Sequence, residues 1–211
     1  MPAIVRGPES AECDIVVITA SLGGLRAIEA VLSGLPASFA APVVIVQHLS
    51  QHHPTVFADL LAPRIPLAAR WVRDRECLAG GTAYVAPPGH HVVIDENRRA
   101  RLVDDAPVNH ARPSADLLFM SVAAQFTSRA VAVVLTGRLC DGAAGALAVR
   151  EAGGVVIAQD PQTCAAPGMP SAAIAAGAAH FVLPPNAIGE ALVALTMVPG
   201  GLAMFGWSNV A

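Results

Sequence analysis

The sequence predicts an α/β protein: a doubly wound, mainly parallel sheet with helices on both faces and a small β-hairpin insertion. Three observations carry that reading. Residues 15–18, 42–47 and 130–136 are apolar runs rich in Val and Ile, the pattern of strands buried on both faces. The first and third lead through a small-residue turn into apolar spacing of helical period, so strand and helix alternate across short loops. The 211 residues are 54% hydrophobic and 14% charged, which suits one large core rather than a disordered chain.

In chain order, residues 1–13 read as a loose lead-in without the continuous apolar stretch of a secretory signal. The first strand ends at Ala20, Ser21-Leu22-Gly23-Gly24 makes the turn, and Leu25, Ile28, Val31 and Leu32 set a helical period. The second strand ends at Gln47-His48. Residues 54–61 look helical, residues 67–72 and 82–86 look like short strands, and residues 91–103 (HVVIDENRRARLV) read as a hairpin with a polar tip. A helix is expected from Pro113, with Leu117, Leu118, Val122 and Ala123 on one face. The strand at 130–136 runs into GRLCDG, which places Asp141 just ahead of a helix over 143–152 that stops at Gly153-Gly154. Residues 155–158 and 180–183 add two strands, and a helix from Asn186 closes a domain over residues 14–196. Residues 197–211 form an apolar tail. The uncharged stretch from Ala191 is split at Pro199-Gly200-Gly201 into pieces too short to span a bilayer, so no membrane insertion is expected.

A net charge of −3 without a basic patch argues against a nucleic-acid partner. Cys13, Cys77, Cys140 and Cys164 contain no C-x-x-C pair, so neither a zinc site nor a disulfide framework is indicated, and a reducing, cytoplasmic location fits. His48, His52 and His53 have H-x-x-x-H spacing, but Pro54 argues for a loop there, and no metal is expected.

Ser21, His48 and Asp141 each follow a different buried strand, so all three would emerge at the same carboxyl edge of the sheet. A serine hydroxyl is a weak nucleophile until a histidine takes its proton, and the histidine needs a carboxylate to fix its tautomer and stabilise the imidazolium. The order Ser, His, Asp and the turn A-S-L-G-G differ from those of the α/β-hydrolases, which requires another serine-hydrolase fold. Simpler readings stand beside this one. Ser21 and Asp141 would serve as helix caps, the 21–24 turn would cradle a phosphate, and Asp116 would be a first-turn charge favoured by the helix dipole.

Over residues 14–195 the chain resembles the catalytic domain of the chemotaxis protein-glutamate methylesterases. The motifs in order are A-S-x-G-G at 20–24, Q-H at 47–48, A-P with a following histidine at Ala86, Pro87 and His91, R-P-S-x-D at 112–116, L-T-G…D-G-A-x-G at 135–145 and A-Q-[DN]…G-M-P at 158–170. The resemblance implies Ser21 as nucleophile, His48 as general base and acid, and Asp141 as the orienting carboxylate. Leu22, Gly23, Arg138, His91 and Arg112 are implied as oxyanion-hole or substrate-binding residues, and no cofactor is needed. The implied reaction is hydrolysis of glutamyl methyl esters, with glutamine deamidation beside it, on the cytoplasmic helices of methylated chemoreceptors. Alanine at each triad position is expected to lower turnover without unfolding the protein. An esterase of the same fold with another substrate and a non-catalytic binding module are the alternatives.

The chain departs from the family pattern at Thr19, at Leu22 in place of a threonine, at Arg138-Leu139-Cys140 with Leu139 in place of a glycine, and at Pro167. If Leu139 restrains the loop backbone, Leu139→Gly is expected to raise turnover. The family typically carries an N-terminal receiver domain, for which residues 1–13 leave no room. The expectation is therefore a constitutively open site, with any control coming from a separate regulatory partner or from expression level. Leu202, Met204, Phe205 and Trp207 would offer a docking surface or pack back on the sheet.

Overall fold

Buried apolar runs become strands wherever a neighbour can take both rows of backbone hydrogen bonds, and here the neighbours are parallel. The structure, a computed structural model, describes residues 13–49, 56–109 and 111–201. Its strands are β1 (Ile15–Ala20), β2 (Val43–Gln47), β3 (Ala68–Trp71), β4 (Glu76–Cys77), β5 (Thr82–Val85), β6 (His91–Ile94), β7 (Arg99–Val103), β8 (Ala130–Val134), β9 (Val155–Gln159) and β10 (Phe181–Leu183). Its α-helices are α1 (Gly24–Leu32), α2 (Phe57–Leu61), α3 (Ala115–Phe126), α4 (Ala143–Glu151), α5 (Gly168–Ala175) and α6 (Pro185–Met197). One sheet of seven strands runs β10-β9-β8-β1-β2-β5-β3 with every pair parallel, and a separate antiparallel sheet runs β4-β7-β6. The doubly wound sheet and the hairpin insertion are both present. The short β4 strand, which the sequence pattern did not reveal, widens the hairpin to three strands.

Every residue of β1, β2, β8 and β9 is buried, which explains why these runs show no polar alternation. Their side chains still alternate between two layers. Val16, Ile18 and Ala20 pack with Ile28, Leu32, Ile188 and Leu192, whereas Ile15 and Val17 pack with Leu118, Phe119, Val122 and Ala146. Helices α1 and α6 therefore cover one face, and α3, α4 and α5 the other. β1 feeds α1 on the first face, while its neighbour β8 feeds α4 on the second. The connections thus wind in opposite senses on either side of the β1–β8 pair, and the crevice at their carboxyl ends is where open α/β sheets bind ligands.

At the opposite end of the same two strands, Arg129 clamps Asp14 through Nη2–Oδ1 at 2.7 Å and Nε–Oδ2 at 2.8 Å, fixing the entry of β1 against that of β8. The buried face of α3 comprises Ala115, Leu118, Phe119, Val122, Ala123 and Phe126, so Leu117 turns out to be only half-buried. Of the lead-in, only Cys13 is described, and it is buried; of the tail, residues 202–211, with Leu202, Met204, Phe205 and Trp207, lie outside the described residues. Among the described residues no helix is long and apolar enough to cross a membrane.

One histidine gives the fold a pH dependence. His180 Nδ1 accepts the Val156 N–H at 2.9 Å, tying the entry of β10 to β9. Burial, aided by the charge of Arg150, pushes its pKa down to about 4 from an ordinary 6.5. Between those values the unfolded chain takes up a proton that the folded protein refuses, so stability falls as pH drops from 6.5 toward 4. Urea midpoints measured across that window should decline in the parent protein and decline less steeply in His180→Asn; parallel curves would refute the assignment.

Candidate active site

The turn after β1 is shaped by close approach. Gly23 has φ +82°, and a Cβ there would stand 2.6 Å from the Ala165 Cβ; at Gly24 it would stand 1.9 Å from Gln47 Oε1. Gln47 fills the space beside that glycine and donates from Nε2 to the Ser21 carbonyl at 2.8 Å. The Ser21 N–H donates to the Thr136 carbonyl at 2.9 Å, and the Thr136 hydroxyl donates to the Leu22 carbonyl at 2.9 Å while accepting the Ala166 N–H at the same distance. Gln159 Oε1 accepts the Thr136 N–H at 2.9 Å. Three loops, after β1, β8 and β9, are thereby welded around Ser21. Sequence reasoning gave no role to Gln47, Thr136 or Gln159, although each stands in a quoted motif.

His48 leaves β2 with its N–H on the Ala20 carbonyl at 3.0 Å and directs Nε2 at Asp141 Oδ2, 2.8 Å away. Among the described residues Asp141 is the only hydrogen-bond partner of the ring, so Nδ1 is the nitrogen left to accept a proton. Asp141 is 3% exposed. Its Oδ2 also accepts the Ala115 N–H at 2.8 Å, and Oδ1 accepts the Ser114 hydroxyl at 2.9 Å and the Asp116 N–H at 3.2 Å. Burial works against its ionisation, but the hydrogen bonds from His48, Ala115 and Ser114 outweigh burial and hold the carboxyl below its usual range.

This geometry corrects two sequence expectations. Asp141 does not cap the helix that follows it; it caps α3, and the carboxylate closing α4 is Asp116, whose Oδ1 accepts the N–H groups of Gly142 at 3.0 Å and Gly145 at 2.7 Å. Nor is Asp141 a residue that alanine can replace without cost. Its removal would leave several buried donors unpaired, a loss of about 3–5 kcal/mol for a broken buried charge network.

Ser21 and His48 face one cavity of about 650 Å³, also lined by Leu22, Gly23 and Arg138. His91 and Arg112 are not among its lining residues. His91 is fully buried: it donates from Nε2 to the Ala106 carbonyl at 3.1 Å and accepts the Ser114 N–H on Nδ1 at 3.1 Å, so its substrate-binding role is replaced by a structural one at the start of α3. Arg112 donates from Nη1 to the Asp105 carbonyl at 3.2 Å. His52 and His53 lie outside the described residues. Leu139, which follows the cavity-lining Arg138, is 72% exposed and holds φ +65°, the left-handed conformation a glycine adopts freely. The leucine has not pulled the loop from that geometry, which removes the reason to expect a faster enzyme from Leu139→Gly. What remains is relief of left-handed strain against glycine's greater chain entropy, a net gain of about 0.5 kcal/mol. A rise in the urea midpoint with turnover unchanged is the expected result, and a fall in the midpoint would count against it.

A family model described as CheB methylesterase matches residues 16–192. The chain is 44% identical over 179 residues to a protein named protein-glutamate methylesterase/protein-glutamine glutaminase 3 from Anaeromyxobacter dehalogenans, covering 84% of this chain and 52% of that protein. It is 40% identical over 185 residues to a protein of the same name, without the numeral, from Geobacillus kaustophilus, covering 86% and 53%. The chain thus spans about half the length of these curated relatives. The crystal structure of the Thermotoga maritima CheB methylesterase catalytic domain superposes with a TM-score of 0.83 at 35% identity, over 87% of this chain and 99% of that one.

Proposed function

The chain belongs to the CheB methylesterase family, and from that membership we propose that it is a cytoplasmic serine hydrolase that cleaves glutamyl methyl esters, and deamidates glutamine, on the helices of chemotaxis-type receptors. The single observation that carries the reading is the His48–Asp141 contact at 2.8 Å beside the cavity that Ser21 also lines. Ser21 attacks the γ-carbonyl carbon, its proton passes to His48 Nδ1, and Asp141 holds the imidazolium through Nε2. The tetrahedral intermediate collapses to an acyl-serine as His48 returns the proton to the departing methoxide, releasing methanol. Water then repeats the sequence and frees the glutamate; from glutamine the first leaving group is ammonia. The Ser21–His48 hydrogen bond is one that tightens when substrate binds.

The developing oxyanion needs donors. Among the described residues, the backbone hydrogen bonds that tie these loops use neither the Leu22 nor the Arg138 N–H, and both residues line the cavity. We assign them as the oxyanion donors, with the Gly23 turn presenting the first. A second reading, an esterase of this fold with another ester substrate, is favoured by the exposed Leu22, which lines the cavity in place of the family's threonine. A methylated receptor peptide tested against generic short-chain esters separates the two.

Methanol release from a methylated receptor is the direct assay. Ser21→Ala and His48→Ala should each cost on the order of 10⁴-fold or more in turnover, by similar amounts, because triad members act as a unit. Asp141→Asn, which keeps the shape of the buried network, is the informative change at the third position, and a loss near 10⁴-fold is expected there from the wrong tautomer. Near-parent activity in a contamination-checked Ser21→Ala sample would end the hydrolase reading.

A further inference from the structure

We propose that Asp116 is a positioning residue for Asp141, the two carboxylates exchanging caps between α3 and α4 so that neither can move without the other; the inference rests on the hydrolase reading above. Asp141, just ahead of α4, accepts the N–H groups of Ala115 and Asp116 at the start of α3. Asp116, in the first turn of α3, accepts the N–H groups of Gly142 and Gly145 at the start of α4. Its other oxygen accepts from Asn109 Nδ2 at 3.0 Å. Both side chains are 3% exposed, so neither has water as a substitute partner.

An ordinary helix cap would be satisfied by any acceptor at the helix end. The reciprocity is what ties Asp116 to the chemistry. Gly142, one of its two backbone donors, is bonded in sequence to Asp141, so Asp116 fixes the backbone from which the His48-orienting carboxylate projects. The two helices can come this close because Gly145 has no side chain; a Cβ there would stand 2.6 Å from the Phe119 Cβ and 2.9 Å from the Asp116 Cα. Electrostatics agrees with the geometry: burial, reinforced by the neighbouring Asp141 charge, pushes the Asp116 carboxyl up against the opposing bonds from Gly145 and Gly142. Among the described residues, the titratable or charged groups around the His48–Asp141 pair are, besides Asp116, His91 through Ser114, Arg138 and Cys140 on Asp141's own loop, and Arg26, which lines the same cavity as His48.

Asp116→Asn retains an acceptor oxygen for Gly142 and Gly145 but removes the charge. Misplacing a catalytic group by a fraction of an ångström to 1 Å costs up to about 10²-fold, so kcat for methyl-ester hydrolysis should fall about 10- to 100-fold with KM unchanged. The acid limb of the pH–rate profile should move to lower pH, because an anion that favours the imidazolium is gone. In an Asp141→Asn background the same change should have little further effect, since Asp116 acts through Asp141. If Asp116→Asn does not fold, Asn109→Ala removes one partner of Asp116 from an exposed position, and a few-fold fall in kcat at constant KM is expected. An unmoved acid limb with full additivity, or parent kcat in Asn109→Ala, overturns the proposal and leaves the hydrolase reading standing. A parent protein that releases no methanol from any ester overturns both.

Discussion

A carboxylate that is 3% exposed must find its partners inside the protein, and at Asp141 those partners decide where the helices begin. Its oxygens take a ring N–H from β2's end, two backbone N–H groups from α3 and the Ser114 hydroxyl. Two of those donors are orphans that any helix N-terminus must satisfy, so satisfying them and orienting His48 are one act. Burial alone would drive the carboxyl toward neutrality; the donors reverse that, and the anion persists beside His48, as the proposed mechanism requires. His91 extends the arrangement one step further, since its Nδ1 receives the Ser114 N–H and so helps hold Ser114 in reach of Asp141.

The sheet supplies what this network cannot, a common edge. β1 and β8 are neighbours with parallel register, yet their helices leave toward opposite layers, which opens space between the two loops. That space would let the loops drift unless something spanned it. Thr136 and Gln159 do so: one hydroxyl and one amide link the loops after β1, β8 and β9, while Gln47 reaches across from β2. The turn glycines are consequences of this crowding, because a Cβ at Gly137 would stand 2.0 Å from Met169 Sδ and 2.9 Å from the Ser21 Cβ.

Much of this was legible in the sequence, for identifiable reasons. β1, β2, β8 and β9 announced themselves because strands buried on both faces show no polar alternation; their polar residues, Thr19, Gln47 and Gln159, stand only at or next to the carboxyl ends. The positions of Ser21, His48 and Asp141 at strand ends followed from the same runs. Helix α5 was missed because it starts behind Pro167 and carries Pro170 in its first turn, a composition that reads as loop although proline is tolerated there. The cap exchange was out of reach for a different reason. A local rule assigns an aspartate ahead of a helix to that helix, whereas here the nearest free N–H groups in space belong to α3, 25 and 26 residues away along the chain. His91 illustrates the same limit: a histidine in a motif says that the position matters, not whether the ring faces solvent or a helix end.

The departures from the family pattern divide by what surrounds them. Leu22, which lines the cavity, and Leu139, next to the cavity-lining Arg138, are exposed, so a change of side chain there leaves the buried network alone. Thr19 is the opposite case. It is fully buried on β1, its methyl group lies toward Gly142, and among the described residues its hydroxyl has no hydrogen-bond partner. An unpaired buried hydroxyl costs about 1–3 kcal/mol, and this one stands beside the residue that follows Asp141. On the proposed hydrolase reading, the surface departures therefore bear on which ester is accepted, while Thr19 bears on how firmly the Asp141 loop is packed against β1.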